Sequence, residues 1–576
     1  MTVAERPVAA RISLLEWLTV ERAAYGGLLL FAGLWRALQL GLFPLTRDEV
    51  RQALTAWDAA QGHAVTLWGL SPLLFTLQEA TFFLAQAGDA MARLWPLIAG
   101  LAICLIPYLL RRQIGRDVAL LTAAFLALSP TLTYFARQGT GDVMAAAAAL
   151  AAWALILAAS EDARRVSWAA VALALGLISG PGIYTALLAW GLASVLWARE
   201  EVAARWREWQ DRGQIRRAAM IGGLVFLLGA TSGLRHWDGV GAAAGLLGQW
   251  AERWARPETG YPFYWPWLRV LLDEPLLLAF GIYGAVLGIR RGDRLTKVLA
   301  LWAGLALIWP TLTPGRRPED LVMAIPPLAI LAGQGGIAYW KRLHLRHVRA
   351  EAGLVIAILG ALSVTLYVWI SGYSYWGTRE YVAAMLAPLG LMVGLVLFFG
   401  FWAGWRTTGQ ALVLFLAALG LLWTLSVGWI NAHGMDMDRR PAVRFERTST
   451  EVRWLASYLE RLSAQRVGDP HLLPVEVMDS PWAPMLRWYL RRMAYVTVIG
   501  APLRGETAPV VITPMMEELA PGEAYSGQDF LIAERWSPAG LRGHNLVRWL
   551  LLRQGKTPAE EERAIVWVMR EEMSEE

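Results

Sequence analysis

Mostly apolar stretches of about twenty residues recur along this chain, near 24–43, 91–110, 117–135, 142–159, 167–179, 182–198, 218–235, 271–289, 296–312, 320–339, 352–373, 381–402 and 410–430. A helix rises about 1.5 Å per residue, so about twenty apolar residues match a hydrocarbon core roughly 30 Å thick. The composition agrees: 56% of the residues are apolar and 17% charged, where ordinary soluble domains carry roughly 25% charged residues. The pattern predicts a polytopic α-helical membrane protein with about 13 spans. The first run is too long for a signal-peptide core and has no small-residue cleavage site, so it reads as a retained anchor.

The net charge of +6 is almost entirely arginine, and its placement follows topology. Counting alternate connections puts RRQIGR (111–116), the Arg-rich 199–217, RRGDR (290–294) and KRLHLRHVR (341–349) on one side. The other side receives 44–90, 136–141, 236–270, 313–319 and 374–380. The positive-inside rule makes the first side cytoplasmic, with an N-terminal segment 1–23 inside and the C-terminus outside. Basic loops explained by topology give no reason to invoke nucleic acid, and membrane lipids are the expected surroundings. Cys104 stands alone inside a span, which excludes an intrachain disulfide and a thiolate metal site. No phosphate-cradling Gly loop is present, which argues against ATP-driven transport.

The chain divides into a transmembrane domain, 24–430, and a soluble extracytoplasmic α/β domain, 431–576. Two outer connections, 44–90 and 236–270, are too long to be simple links. The first carries amphipathic patches, VRQALTAWDAA and LLFTLQEATFFLAQ, that suit interfacial helices. The second holds YPFYWPW (261–267), where Tyr261, Tyr264 and Trp265 read either as an aromatic belt or as the lining of a lipid or sugar groove. In the C-terminal part, TSTEVRWLASYLERL reads as a helix, and LLPVEVMD, AYVTVIG and APVVITP read as strands. PWAPMLRWYLRR (481–492) reads as an aromatic, basic patch resting on the membrane or on the mouth of a site.

Ionisable residues near spans are costly and therefore informative. Four clusters fall on the outer side: Asp48 with Glu49, Arg137 with Asp142, Asp273 with Glu274, and Arg316, Arg317, Glu319 and Asp320. Any one of them reads as a helix cap or a snorkelling charge. Four on one side point to a site. A carboxylate there can take the proton of an attacking hydroxyl, and a guanidinium fork matches the oxygens of a phosphate leaving group.

Four segments, TRDEVRQAL, PTLTYFARQGTGDVMAAAAAL, ALGLISGPGIYTALLAW and PGRRPEDLVMAIPPLAILAG, in this order and placement, resemble membrane glycosyltransferases of the GT-C fold. The likeness is to the protein O-mannosyltransferase and aminoarabinose-transferase group, and within it to a prokaryotic subfamily of flippase-activity-associated proteins in glycan assembly. That resemblance implies sugar transfer from a polyprenyl-phosphate donor to a lipid, glycan or protein acceptor, with inversion, on the extracytoplasmic side. It implies Asp48 as general base, with Glu49 as the fallback, and Asp142 as a second acid. Arg137 precedes that second acid as the family's basic residue does. Arg316 or Arg317 would meet the donor phosphate, and GRRPEDLVM departs from the family pattern enough to leave the choice open. Tyr261, Tyr264, Trp265 and Glu274 would line the substrate groove. No cofactor is implied with certainty; a divalent metal, Mg or Mn, would take Asp48, Glu49 and Asp142. The alternative readings are a flippase or transporter, and a non-catalytic assembly subunit, for lipid-linked glycans.

Overall fold

A computed structural model describes residues 19–255, 261–343, 349–434, 446–500, 508–515, 524–555 and 559–570. Most of the N-terminal segment 1–23, part of the basic loop 341–349 and the junction 435–445 lie outside these residues.

Each apolar stretch lies largely on helix. By length and composition, Leu94–Ile114, Arg294–Leu312, Pro318–Trp340, Ala350–Trp376, Arg379–Ala403 and Trp405–His433 are long and apolar enough to cross a bilayer. The pair Trp265–Asp273 and Pro275–Arg290, bent by 103°, makes a seventh if it is one broken span. Asp142–Ala158, Arg165–Leu177 and Ile183–Trp197 are apolar but shorter. The chain is a multi-pass membrane protein. Two of the expected stretches are interrupted at prolines. Pro275 has no N–H to donate, and Glu274 before it sits at φ −124°, ψ 42°, outside the α region. The stretch 117–135 likewise breaks at Ser129 (φ −56°, ψ 117°) before Pro130.

Small residues let these helices approach. Along Asp142–Ala158, Ala145, Ala146, Ala149 and Ala154 have no exposed surface, and their neighbours on Leu94–Ile114 and Ile183–Trp197 share one apolar core. At the crossing of Pro275–Arg290 with Ile325–Trp340, a Cβ on Gly284 would lie 2.0 Å from the Leu331 carbonyl oxygen. Only glycine fits there.

The long connection 44–90 folds into the helices Arg47–Ala60 and Pro72–Leu84. The second outer connection contains the helix Asp238–Glu252. Beyond the last long helix, six strands form one sheet in the order β1-β5-β6-β4-β2-β3. They span Glu446–Thr448 (β1), Val475–Met478 (β2), Val496–Ile499 (β3), Val510–Pro514 (β4), Tyr525–Arg535 (β5) and Glu560–Met569 (β6). β2 pairs in parallel with β3 and β4, and the remaining pairs are antiparallel. The sheet domain is not a separate lobe. Leu45, Val50 and Ala53 of the first connection share one apolar cluster with Val452, Leu455, Val475 and Trp488.

Of the two sequence readings of the segment 481–492, its packing departs from the membrane-resting one. Trp482, Met485, Leu486 and Trp488 are buried, Arg487 lies 3.4 Å from Asp58, and the Arg491 guanidinium covers the Trp488 ring at 4.3 Å. This aromatic, basic run turns inward onto the first connection instead of resting on a membrane, because burying two tryptophans outweighs exposing them.

Candidate active site

Asp48 and Asp142 occupy first turns of helices, Arg47–Ala60 and Asp142–Ala158, where amide dipoles favour a carboxylate. Three loops bring those helix starts together. The Gly139 N–H donates to Glu49 Oε1 at 2.6 Å, tying the turn before Asp142 to the first turn that carries Asp48. Gln52 exchanges two hydrogen bonds with the Ser71 backbone, at 2.9 and 3.2 Å. Gly141 is packed so tightly that a Cβ would stand 1.8 Å from the Ser179 carbonyl oxygen and 2.7 Å from Ser71 Oγ.

These loops frame a cavity of about 700 Å³. Asp48, Arg51, Asp142, Glu252, Arg253, Arg317 and Glu319 are its charged lining residues, and Trp68 and the Gly-rich face of Asp238–Glu252 form part of its wall. Asp48 is exposed. Arg317 is about half exposed, with Glu319 at 3.7 Å. Arg253 is buried in an ion pair with Asp320. Burial pulls its guanidinium down to about 10, against Glu319 and Asp142, which hold it up, and with Arg317, which pulls the same way.

Glu49 is placed differently from its neighbour. It is fully buried, and Arg93 donates to both of its oxygens at 2.7 and 2.9 Å. The Thr46 N–H adds a further bond at 2.8 Å. Burial opposes the charge, but Arg93 and the two N–H donors outweigh it and hold the carboxyl below the usual range. With Glu49 so engaged, Asp48, Glu49 and Asp142 do not form a three-carboxylate centre; among the described residues no group of three His, Cys, Asp or Glu side chains is arranged to hold a metal.

The remaining sequence candidates lie outside the cavity lining. Arg137 donates to the carbonyls of Arg36, Leu38 and Gln39 at 2.6, 2.7 and 3.0 Å, closing the end of the first helix; burial and nearby Arg93 pull it down to about 10. Arg316 donates to the carbonyls of Pro310 at 3.0 Å and Tyr261 at 2.6 Å. Glu274 is buried and accepts from the Ser129 hydroxyl and, at 2.9 Å, from the Thr131 N–H. Tyr261 and Trp265 pack with Trp536, Leu541 and Trp549 of the C-terminal part, and Tyr264 is exposed. The four residues expected to line a substrate groove therefore sit apart from the cavity that holds Asp48.

Sequence reasoning missed Arg93, Arg51 and Arg253. Arg93 carried a usable signal, a lone arginine at the start of an apolar run. Arg51 is one turn from Asp48 and faces the cavity while donating to the Trp68 carbonyl at 2.7 Å. Arg253 lies in a polar loop, where no pattern separates it from its neighbours.

Residues 70–208 match the family model described as dolichyl-phosphate-mannose-protein mannosyltransferase, a stretch that includes Asp142. Among solved structures, ArnT from Cupriavidus metallidurans bound to undecaprenyl phosphate is similar at 14% identity and a TM-score of 0.55, over 96% of this chain and 98% of that one. The same enzyme in the apo state gives 16% identity and a TM-score of 0.47, over 83% and 87%. The Archaeoglobus fulgidus oligosaccharyltransferase tethered with an acceptor peptide gives 10% and 0.47, over 84% of this chain and 64% of that one. No curated protein matches in sequence. The chain therefore shares the GT-C fold of ArnT over nearly its whole length, and residues 70–208 carry the mannosyltransferase pattern.

Proposed function

We propose that this protein transfers a sugar from a polyprenyl-phosphate donor to an acceptor hydroxyl on the extracytoplasmic side, with inversion and with Asp48 as general base. The observation that carries the reading is the convergence of Asp48, Asp142 and Arg317 on one cavity, while Glu49 and Arg316 are engaged within the fold. The orientation rests on the basic residues, since Arg112, Arg116 and Arg294 lie on connections on the side opposite to Asp48 in the topology above.

In this reaction Asp48 accepts the proton of the acceptor hydroxyl as its oxygen bonds to the anomeric carbon from the face opposite the phosphate. The bond from that carbon to the phosphate oxygen breaks, and the lipid phosphate departs with the electron pair. Arg317 is placed to take up that charge, because a guanidinium meets two phosphate oxygens at once. Asp142, in the field of Arg253, orients the acceptor. The acceptor class stays open among lipid, glycan and protein.

Losing a charge-assisted hydrogen bond costs roughly 1.5–3 kcal/mol, so Arg317→Ala is expected to raise the donor KM about ten- to hundredfold. Arg316→Ala is expected to lower thermal stability and leave the donor KM near wild type. Transfer assays with labelled polyprenyl-phosphate mannose compare the two, and equal KM values for both variants would remove Arg317 from the phosphate site. Charges gathered at helix ends instead of at mid-depth favour transfer over flipping. A liposome assay separates these, since accelerated exchange of the lipid-linked sugar between leaflets is a flippase result.

A further inference from the structure

Two of the three residues before Asp48, Leu45 and Arg47, are held from far away in the chain. The Leu45 N–H donates to the Tyr489 hydroxyl at 2.7 Å, across 444 positions. The Leu45 carbonyl accepts from the Thr448 hydroxyl at 2.8 Å, across 403 positions. Leu45 is fully buried, and Thr46 after it is extended (φ −73°, ψ 166°). Neither polar group of Leu45 has a helical partner there, and buried backbone groups need one. The sheet domain supplies both.

Tyr489 is itself fixed. Its hydroxyl donates to Asp89 Oδ2 at 3.1 Å, and Trp488 Nε1 donates to Asp89 Oδ1 at 2.8 Å. Arg453 joins Asp89 in an ion pair and donates to the carbonyls of Gly41 at 2.8 Å and Leu42 at 2.9 Å. On the outer side of the same turn, Arg47 pairs with Glu562 of β6 at 2.7 Å and Glu446 of β1 at 3.4 Å. The first turn is thus gripped by the sheet domain on one side and by the Glu49–Arg93 pair on the other, with Asp48 on the cavity face.

We infer that Thr448 and Tyr489 are positioning residues for transfer, acting through the Leu45 backbone to set the place of the Asp48 carboxylate. The C-terminal domain is then part of the catalytic framework. This rests on Asp48 being the base. A base must stand within hydrogen-bond reach of its proton, and a displacement of about 1 Å costs on the order of a hundredfold in rate.

The experiment uses the full chain in nanodiscs, with undecaprenyl-phosphate mannose as donor and hydrogen exchange over residues 44–52 as a readout that needs no substrate. Thr448→Val and Tyr489→Phe are expected to speed exchange in that segment. They are expected to lower kcat at least about tenfold while the donor KM stays within about twofold, and Thr448→Ser is expected to restore both. Wild-type exchange in both variants overturns the inference, and so does faster exchange with an unchanged kcat. Asp48→Asn, run alongside, keeps the two claims apart. A fully active Asp48→Asn protein overturns the base assignment. An inactive Asp48→Asn protein beside fully active Thr448→Val and Tyr489→Phe overturns the positioning role alone.

Discussion

Asp48→Asn is expected to reduce sugar transfer by roughly a hundred- to ten-thousandfold, the range that one positioned general base contributes, while the protein folds and inserts as wild type does. The side chain is exposed at the cavity face, and an asparagine in a first helical turn keeps the shape and loses only the charge. Its loss therefore removes chemistry without removing packing. The donor KM should change little, because in the proposed mechanism Asp48 touches the acceptor proton and not the phosphate. The measurement is kcat and KM with labelled donor, together with a melting curve in detergent. A variant that keeps wild-type kcat ends the case for Asp48 as base.

Glu49→Gln, one residue away, should do the opposite: damage stability first. Arg93 is 1% exposed and would be left buried opposite a neutral group. Breaking a buried ion pair by removing one partner costs roughly 3–5 kcal/mol. The Gly139 and Thr46 N–H groups lose an ionised acceptor in the same step. Replacing both partners, Glu49→Leu with Arg93→Met, is expected to recover only part of the loss: no unpaired charge remains, but the Thr46 and Gly139 N–H groups and the Leu40, Phe43 and Pro44 carbonyls lose their partners. The pair also has a pH signature. The folded carboxyl lies below its usual range, so its contribution is complete above the unfolded glutamate pKa of about 4.3. It is lost as pH falls through the lower folded value. Melting curves from pH 7 to 3 should show the wild type losing stability at the acid end, with the double variant flatter there. A Glu49→Gln protein as stable as wild type would mean that the Leu40, Phe43 and Pro44 carbonyls, which also accept from Arg93, satisfy it without an ionised partner.

Much of the framework is legible in the sequence because lipid leaves the chain few choices. A run of twenty apolar residues in a membrane must satisfy its own backbone, and a helix does so within one segment. The apolar stretches therefore name the helices, but not their breaks: the chain breaks at Pro130 and Pro275, while Pro107, Pro310 and Pro388 sit inside continuous helices. Acids at the ends of apolar runs, Asp48 after one and Asp142 at the start of another, are legible for a similar reason: charge is tolerated where a helix end leaves the bilayer. In the C-terminal part, VEVM and VVITP show their strands by alternation and by β-branched residues.

Residue properties alone do not choose within the pairs; the family resemblance prefers Asp48 to Glu49 and leaves Arg316 and Arg317 open. Asp48 and Glu49 are adjacent acids, and so are Arg316 and Arg317 as cations, with nothing local to separate them. Asp48 and Glu49 are successive helical residues, which point about 100° apart, whereas Arg316 and Arg317 lie in the connection before Pro318, Arg317 with extended backbone; in each pair one member lines the cavity and the other faces the fold. Which does which depends on Arg93, 44 positions from Glu49, and on the Tyr261 carbonyl, 55 positions from Arg316. The groove residues Tyr261, Tyr264, Trp265 and Glu274 stand apart from the cavity for the same reason, since their partners come from Ser129 and the C-terminal tryptophans.

The sequence by itself determined that this chain crosses a membrane many times and that acids and arginines gather at helix ends. Periodicity and the cost of burying charge are local properties, readable in a window of twenty residues. Only the tertiary structure decided which acid meets the cavity, which arginine joins it, and that the sheet domain holds the first turn in place. Those outcomes depend on contacts between residues 40 to more than 400 positions apart, and buried polar groups accept whichever distant partner the packing brings to them.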